Sequence, residues 1–134
     1  MHIAINIICW LWAGWVAFNL LMVALAATVL PVHQAHFDGF RARLPIWLPS
    51  LLTADEIAAV TSHEHGHRHH LHVWTNLVLR CVFLSPGARR RRRQEIEADD
   101  YAVANGHGRH MASALRKLSC HPEDISRAER LERM

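Results

Sequence analysis

Apolar residues run almost without a break from Ile3 to Val32, and this is the strongest pattern in the chain. At 1.5 Å rise per residue, about 20 apolar residues cross the hydrocarbon core of a bilayer, so the run can span with some tilt. We expect residues 1–32 to form one transmembrane anchor that ends near Pro31. Three tryptophans near one end are candidate interfacial anchors: Trp10, Trp12 and Trp15.

A cleaved signal peptide and a buried core helix are alternative explanations for this segment, and Ala24-Leu25-Ala26 resembles a cleavage site. A signal peptide usually has a positively charged start and a shorter apolar core, whereas residues 1–40 contain no Lys or Arg. The anchor is therefore favoured. Because Arg41 and Arg43 follow the span, the positive-inside rule predicts a single-pass membrane protein with its C-terminal part in the cytoplasm.

The segment from residue 33 to residue 50 is expected to be a linker with one edge strand. Apolar and other residues alternate from Phe40 to Leu48, which predicts a strand with one buried face. Pro45 would confine that strand to an edge, because proline has no N–H to donate to a neighbour. A loop at the membrane surface is the alternative for this stretch.

Helical patterns dominate the rest. Thr53 and Glu56 form a capping box that predicts a helix start. No proline follows until Pro86, so we expect helix through the histidines, with Leu84 as its furthest extent. The apolar residues 73–84 are too few to span a membrane and suggest a core or membrane-lying helix. Further helices are expected from about Arg90 to Asn105 and from about Met111 to Leu118, before a polar tail over 119–134.

Composition narrows the class of protein. The 134 residues allow one domain, and 51% apolar with 20% charged residues argues against disorder. Three widely spaced cysteines (Cys9, Cys81 and Cys120) disfavour a disulfide scaffold and suggest a reducing compartment. The run Arg89–Arg93 has no interleaved aromatic residues, so we expect a solvated or lipid-facing surface, with no nucleic-acid partner and no catalytic role.

Histidines carry the candidate chemistry. The chain has 12 histidines, and His63, Glu64 and His67 form an HExxH motif on the first predicted helix. Residues four apart share a helix face, so both imidazoles can reach one metal ion, with Glu64 beside them as a candidate general base. Zinc favours imidazole, and a catalytic site has three protein ligands, so a third must come from elsewhere.

A second acidic motif, at residues 94–100, offers that ligand. Glu95 and Asp99 are four residues apart on a predicted helix, so one can bind the metal while the other accepts the spare N–H of a ligand histidine. Glu97 and Asp100 are alternatives. Glu97 has no acid four residues further on, which favours Glu95.

A histidine-rich helix that binds metal without catalysis is the competing hypothesis. On one continuous helix His63, His67 and His70 share a face, and His65, His69 and His72 share the opposite one. A metal buffer would use both faces and so explains all six histidines. It leaves Glu64, Glu95 and Asp99 as coincidences.

The residues HEHGH at 63–67, with LTADE before them at 52–56 and the E-x-x-A-D element at 95–99, resemble the gluzincin metallopeptidases. The similarity is to the HtpX and CAAX-prenyl-protease type and to the related antirepressor-type membrane peptidases. MASALRKL at 111–118 is similar to the helix that follows the third ligand in this group, and the resemblance covers about residues 50–118.

This resemblance implies a mainly α fold with a minimal zincin-like domain over 51–118, acting on a protein or peptide substrate at a membrane. It implies one zinc ion held by His63, His67 and Glu95. It further implies Glu64 as general base and Asp99 as the partner of a ligand histidine.

The chain departs from the family in several ways. Arg68 and His69 stand where the family has uncharged residues, and most of the family's substrate-binding sheet is absent from the sequence. No oxyanion-stabilising residue transfers, which leaves His107, Arg109 and His110 as candidates by position alone. A catalytically inactive relative is therefore a further alternative.

Overall fold

The computed structural model describes residues 2–28, 35–38 and 40–134. Within these ranges the chain is mainly helical, as the sequence predicted, with seven helices and one two-stranded antiparallel sheet. The helices are α1 His2–Thr28, α2 Leu48–Leu51, α3 Ala54–His69, α4 His72–Cys81, α5 Ala88–Ala104, α6 Gly108–Leu118 and α7 Pro122–Glu132. The strands are β1 His36–Phe37 and β2 Ala42–Arg43.

Helix α1 has a stretch, His2–Leu25, that is long and apolar enough to cross a membrane. Only 6% of an 18-residue apolar window of this stretch is buried inside the protein, which distinguishes α1 from the core helix of a soluble domain. The predicted end of the anchor near Pro31 lies outside the described residues.

The predicted strand over residues 40–48 is wrong in extent. Only Ala42 and Arg43 pair with β1, and the next residues form a turn in which Ile46 is 97% exposed. Pro45 cannot continue a ladder of N–H donors, and α2 begins three residues later with proline in its first turn. The other strand, β1, falls in the segment expected to be a linker.

The capping box at the start of α3 is confirmed: Thr53 and Glu56 exchange hydrogen bonds between side chain and backbone. The expectation of one helix through all the histidines is wrong. The helix ends at His69, and Leu71 takes a left-handed conformation with φ of 54°. This break lets α4 start in a new direction and brings His72 back towards α3.

The two later helices occur close to their predicted bounds, and Gly106 ends α5 with a φ of 81°. The prediction of a polar tail over residues 119–134 is wrong, because residues 122–132 form α7. This helix packs on α6 and buries Ala128 and Leu131 in the core. The core is completed by apolar side chains from α2, α3 and α6, among them Leu48, Leu52, Val60, Met111 and Leu115.

Candidate metal centre

Helices α3 and α5 bring together the three side chains that the sequence suggested as ligands. His63 Nε2 lies 3.2 Å from His67 Nε2 and 3.4 Å from Glu95 Oε2, and His67 Nε2 lies 3.6 Å from Glu95 Oε1. Among the described residues, this is a group whose donor atoms are close enough to hold one metal ion. Glu97 and Asp100, the alternatives to Glu95 and Asp99, are not part of it.

Gly66 allows α3 and α5 to approach closely enough for this. A Cβ atom at Gly66 would lie 2.8 Å from the Cα atom of Ala98 and 3.0 Å from the Ala98 carbonyl oxygen. The first distance is shorter than real Cβ contacts and the second is tighter than most of them, so any larger residue would push the helices apart. Because Ala98 lies between Glu95 and Asp99, the glycine sets the distance from both carboxylates to α3.

The second ring nitrogen of His63 faces a buried carboxylate. His63 Nδ1 lies 2.9 Å from Asp99 Oδ1, and the Asp99 side chain is completely buried. At this distance the negative charge of Asp99 attracts the ring N–H of His63. The structure thus puts Asp99 beside His63, where it can hold the orientation of that ring.

Arg127 of α7 completes this arrangement, and sequence reasoning missed it. Its guanidinium donates to both oxygens of Asp99 at 2.8 Å and lies 3.2 Å from Glu95 Oε2. The residue was overlooked because its segment was expected to be a tail. The available signal was its spacing, since Arg127 and Leu131 are four residues apart and share the buried face of a helix.

A different set of partners supports His67. Its Nδ1 lies 2.8 Å from His72 Nδ1, and His72 Nε2 lies 3.0 Å from Glu97 Oε2. The carboxylate fixes the proton on His72 Nε2, so His72 Nδ1 accepts a hydrogen bond from His67 Nδ1–H. This tautomer leaves the Nε2 lone pair of His67 on the side of the other two candidate ligands, His63 and Glu95. Arg93 closes the series with a 2.8 Å contact to Glu97.

The six clustered histidines do not occupy two faces of one helix. His72 begins α4 and contacts His67, so its expected place on the opposite face with His65 and His69 is wrong. His65, His69 and His70 are exposed.

The charges around the group suit a cation. Burial holds the pKa of His67 down at about 4, which keeps this imidazole neutral near pH 7. Burial also opposes protonation of His63, but the carboxylates of Asp99 and Glu95 outweigh it and raise the pKa of His63 to about 9. The negative field that favours a proton on His63 equally favours a metal dication at this place.

Glu64 lies in the same cleft, and burial raises its pKa to about 7. The nearby charge of His63 and a hydrogen bond from the backbone N–H of Phe37 lower the pKa, while the charge of Glu95 raises it. Strand β1 therefore brings main-chain atoms next to the candidate base. A carboxyl group with a pKa near 7 is suited to exchanging protons at neutral pH.

The cleft that contains these groups has a volume of about 720 Å³. Apolar side chains line much of it, including Phe37, Leu48, Val60, Val73 and Leu115. The proposed oxyanion candidates His107, Arg109 and His110 are not among the described residues that line this cleft.

No protein-family model, no curated protein and no solved structure matches this chain. The resemblance to gluzincins therefore stays a prediction from short motifs. Any functional assignment rests on the residues and their geometry.

Proposed function

We propose that the protein is a membrane-anchored, zinc-dependent metalloendopeptidase that uses Glu64 as its general base. The observation that carries the proposal is the convergence of two imidazole nitrogens and one carboxylate, 3.2–3.6 Å apart, with a buried glutamate in the same cleft. His63, His67 and Glu95 are the ligands in this proposal, and Asp99 orients His63.

The donor set fits zinc. Two imidazoles and one carboxylate are ligands that zinc accepts in catalytic sites. Ligand distances of about 2.0–2.1 Å in a tetrahedral site place donor atoms about 3.3 Å apart. The observed separations of 3.2, 3.4 and 3.6 Å agree with that value within a few tenths of an ångström.

When bound, zinc supplies a Lewis acid that polarises a carbonyl group and lowers the pKa of water. Glu64 would accept the proton of the attacking water and return it to the leaving amine. The backbone N–H of Phe37 favours the charged form of Glu64, which is the form that accepts a proton. Residues 35–37 line the cleft, so an extended peptide that runs along β1 would pass beside Glu64.

Helix α1 supports the membrane part of the proposal, since its length and apolar surface suit a single span. The basic residues Arg41, Arg43 and Arg89–Arg93 all follow that span, which supports a cytoplasmic position for the metal centre.

Zinc content and peptide cleavage by the purified full-length chain test this function. We expect one tightly bound zinc ion per chain and cleavage of a broad peptide library. Glu64→Gln should keep the zinc and lower the cleavage rate by at least about 100-fold, because a general base contributes that much or more. Glu129→Gln removes an exposed carboxylate and should change neither property.

Two results would contradict the proposal in different ways. Binding of several zinc ions that is indifferent to Glu95→Gln would indicate a histidine-rich metal buffer. One zinc ion without cleavage of any library peptide would indicate an inactive relative.

A further inference from the structure

The end of α4 and the turn after it expose a cluster of large apolar side chains. Val78, Val82, Phe83 and Leu84 are 64%, 49%, 66% and 57% exposed. Four such residues next to one another make a continuous apolar patch, which soluble surfaces rarely carry without a partner.

The backbone N–H groups at this helix end are paired within the turn. The N–H groups of residues 82–84 donate to the carbonyls of residues 78–80 at 2.8–3.3 Å. This closed turn requires a left-handed conformation at Phe83, where φ is 61°, although glycine usually occupies such a position.

Two indoles of α1 donate hydrogen bonds to the last two carbonyls of α4. Trp12 Nε1 donates to the carbonyl of Cys81 at 2.9 Å, and Trp15 Nε1 donates to the carbonyl of Arg80 at 2.7 Å. The Trp15 ring also stacks on Phe83 at 5.4 Å between centroids. All four terminal carbonyls of α4 thus have protein donors. At an ordinary helix end, water donates hydrogen bonds to such carbonyls, whereas in hydrocarbon the protein must supply the donors.

The position of these tryptophans along α1 gives the depth of the contact. Trp12 lies ten residues after the start of the apolar stretch His2–Leu25, and Trp15 lies ten residues before its end. Ten helical residues extend about 15 Å, which is half of the ~30 Å hydrocarbon core. If α1 spans, α4 therefore ends near the middle of the membrane.

We propose that residues 78–84 insert into the bilayer beside α1 and reach about its midplane, so that α4 connects the metal centre to the membrane interior. The exposed run Arg89–Arg93 follows this segment and lies where anionic headgroups would attract it. Arg80 is the one charge in the inserted turn, and its side chain is exposed, so it can extend away from the apolar patch.

This arrangement determines the distance of the metal centre from the bilayer midplane. His72 begins α4 and contacts His67, and the ten residues of α4, His72–Cys81, extend about 14 Å. The metal centre is thus held at the membrane surface, within about one hydrocarbon half-thickness of the midplane. The insertion depends on α1 as the span and does not depend on peptidase activity.

Spin-label depth measurements on the full-length chain in liposomes of zwitterionic and anionic phospholipid test the insertion. The three native cysteines are replaced by alanine, and single cysteines are introduced by Leu84→Cys, Leu11→Cys and Ala104→Cys. We expect the label at position 84 to lie at the same depth as the label at position 11, within one helical turn of about 5 Å. The label at position 104, on the exposed end of α5, should report water.

Replacement of the indole donor provides a second measurement. Trp12→Phe leaves the Cys81 carbonyl without its donor and should move the label at position 84 measurably towards the headgroups. Trp10→Phe is the matched control, since no hydrogen bond to α4 is recorded for Trp10 in the described structure, and it should leave the depth unchanged. A water-like signal at position 84 with a buried signal at position 11 would overturn the insertion, and a water-like signal at both would overturn the span on which it depends.

Discussion

The two histidines of the candidate metal centre differ in the side chains that contact their Nδ1 atoms, which are their supports. Behind His63 stand Asp99 and Arg127, whose side chains are 0% and 9% exposed. Behind His67 stand His72 and then Glu97 and Arg93, and the last two side chains are 30% and 81% exposed. One support ends in the core of the protein, and the other ends in solvent.

This difference predicts unequal energetic roles. Removing one partner from a buried ion pair typically costs about 3–5 kcal/mol, because the other charge stays buried and unpaired. An exposed pair is worth about 0–1 kcal/mol, since water and salt replace it easily. We therefore expect the support of His63 to be essential for folding, whereas the support of His67 mainly adjusts metal affinity.

Arg127→Leu should have the largest effect. It leaves the completely buried Asp99 without its guanidinium partner, so we expect a loss of about 3–5 kcal/mol in unfolding free energy. Denaturant titration of the detergent-solubilised chain measures this loss. Arg130→Leu on the same helix breaks a partly exposed pair with Asp100 and should cost no more than about 1 kcal/mol. Equal losses in the two variants would contradict the comparison.

Gly66→Ala should disturb both supports together. The added methyl group collides with the backbone of Ala98, so α5 must move away and take Glu95 and Asp99 with it. We expect about 1–3 kcal/mol lower stability from overpacking, together with weaker zinc binding in a competition assay with a chelator. Gly14→Ala in α1 meets nothing within 4 Å and should leave both quantities unchanged. Unchanged zinc affinity in Gly66→Ala would show that close helix approach does not position Glu95.

His72→Ala should weaken zinc binding by about 10–100-fold, as expected when the partner of a metal-ligating histidine is removed, with little loss of stability. Glu97→Gln should have a smaller effect in the same direction, because it only weakens the orientation of His72. Arg93→Gln, which breaks a largely exposed pair, is the control and should leave zinc affinity unaltered. A collapse of the fold in His72→Ala would show that both supports are structural.

Glu56 is a buried carboxylate whose partner Lys117 is 40% exposed. It therefore tests whether a buried carboxylate contributes strongly to the free energy of unfolding when its partner is not buried. Hydrogen bonds from Lys117, Ser113 and Thr53 lower the pKa of Glu56 from its usual 4.5 to about 2. Since the folded-state pKa is the lower one, this stabilisation is complete above pH 4.5 and disappears as the pH falls towards 2. Glu56→Gln should therefore cost about 1–2 kcal/mol near pH 7 and almost nothing near pH 2.

Unfolding curves in the presence of a chelator measure this pH dependence without a contribution from metal release. Glu129→Gln, an exposed matched substitution, should show a small and constant difference across the same range. A difference in unfolding free energy between wild type and Glu56→Gln that grows at acidic pH would contradict the lowered pKa of Glu56.

Features that depend on neighbours in the chain were predictable. The apolar run of α1, the capping box at Thr53 and Glu56, and the turn at Gly106 act over a few residues, so their structure follows from local hydrogen bonds and hydrophobicity. The pairing of His63 with His67 belongs to the same class, because residues four apart on a helix always share a face.

Features that depend on distant packing were not predictable. Leu71 adopts an unfavourable left-handed conformation that no local signal predicts. The strand expected over residues 40–48 is only two residues long. The residues of α7 have a helical spacing, but only the packing of their sparse apolar stripe on α6 shows that this face is buried.

The sequence by itself determined an apolar helix, two imidazoles on one face and a pair of carboxylates four residues apart, because helical periodicity alone places such residues. Only the tertiary structure decided that Glu95 meets those imidazoles, that Arg127 holds Asp99, and that His72 turns back to His67. These contacts join residues between 5 and 32 positions apart across separate helices, and the close packing at Gly66 and the break at Leu71 set their distances. Packing between helices is a property of the whole fold, so no local pattern encodes it.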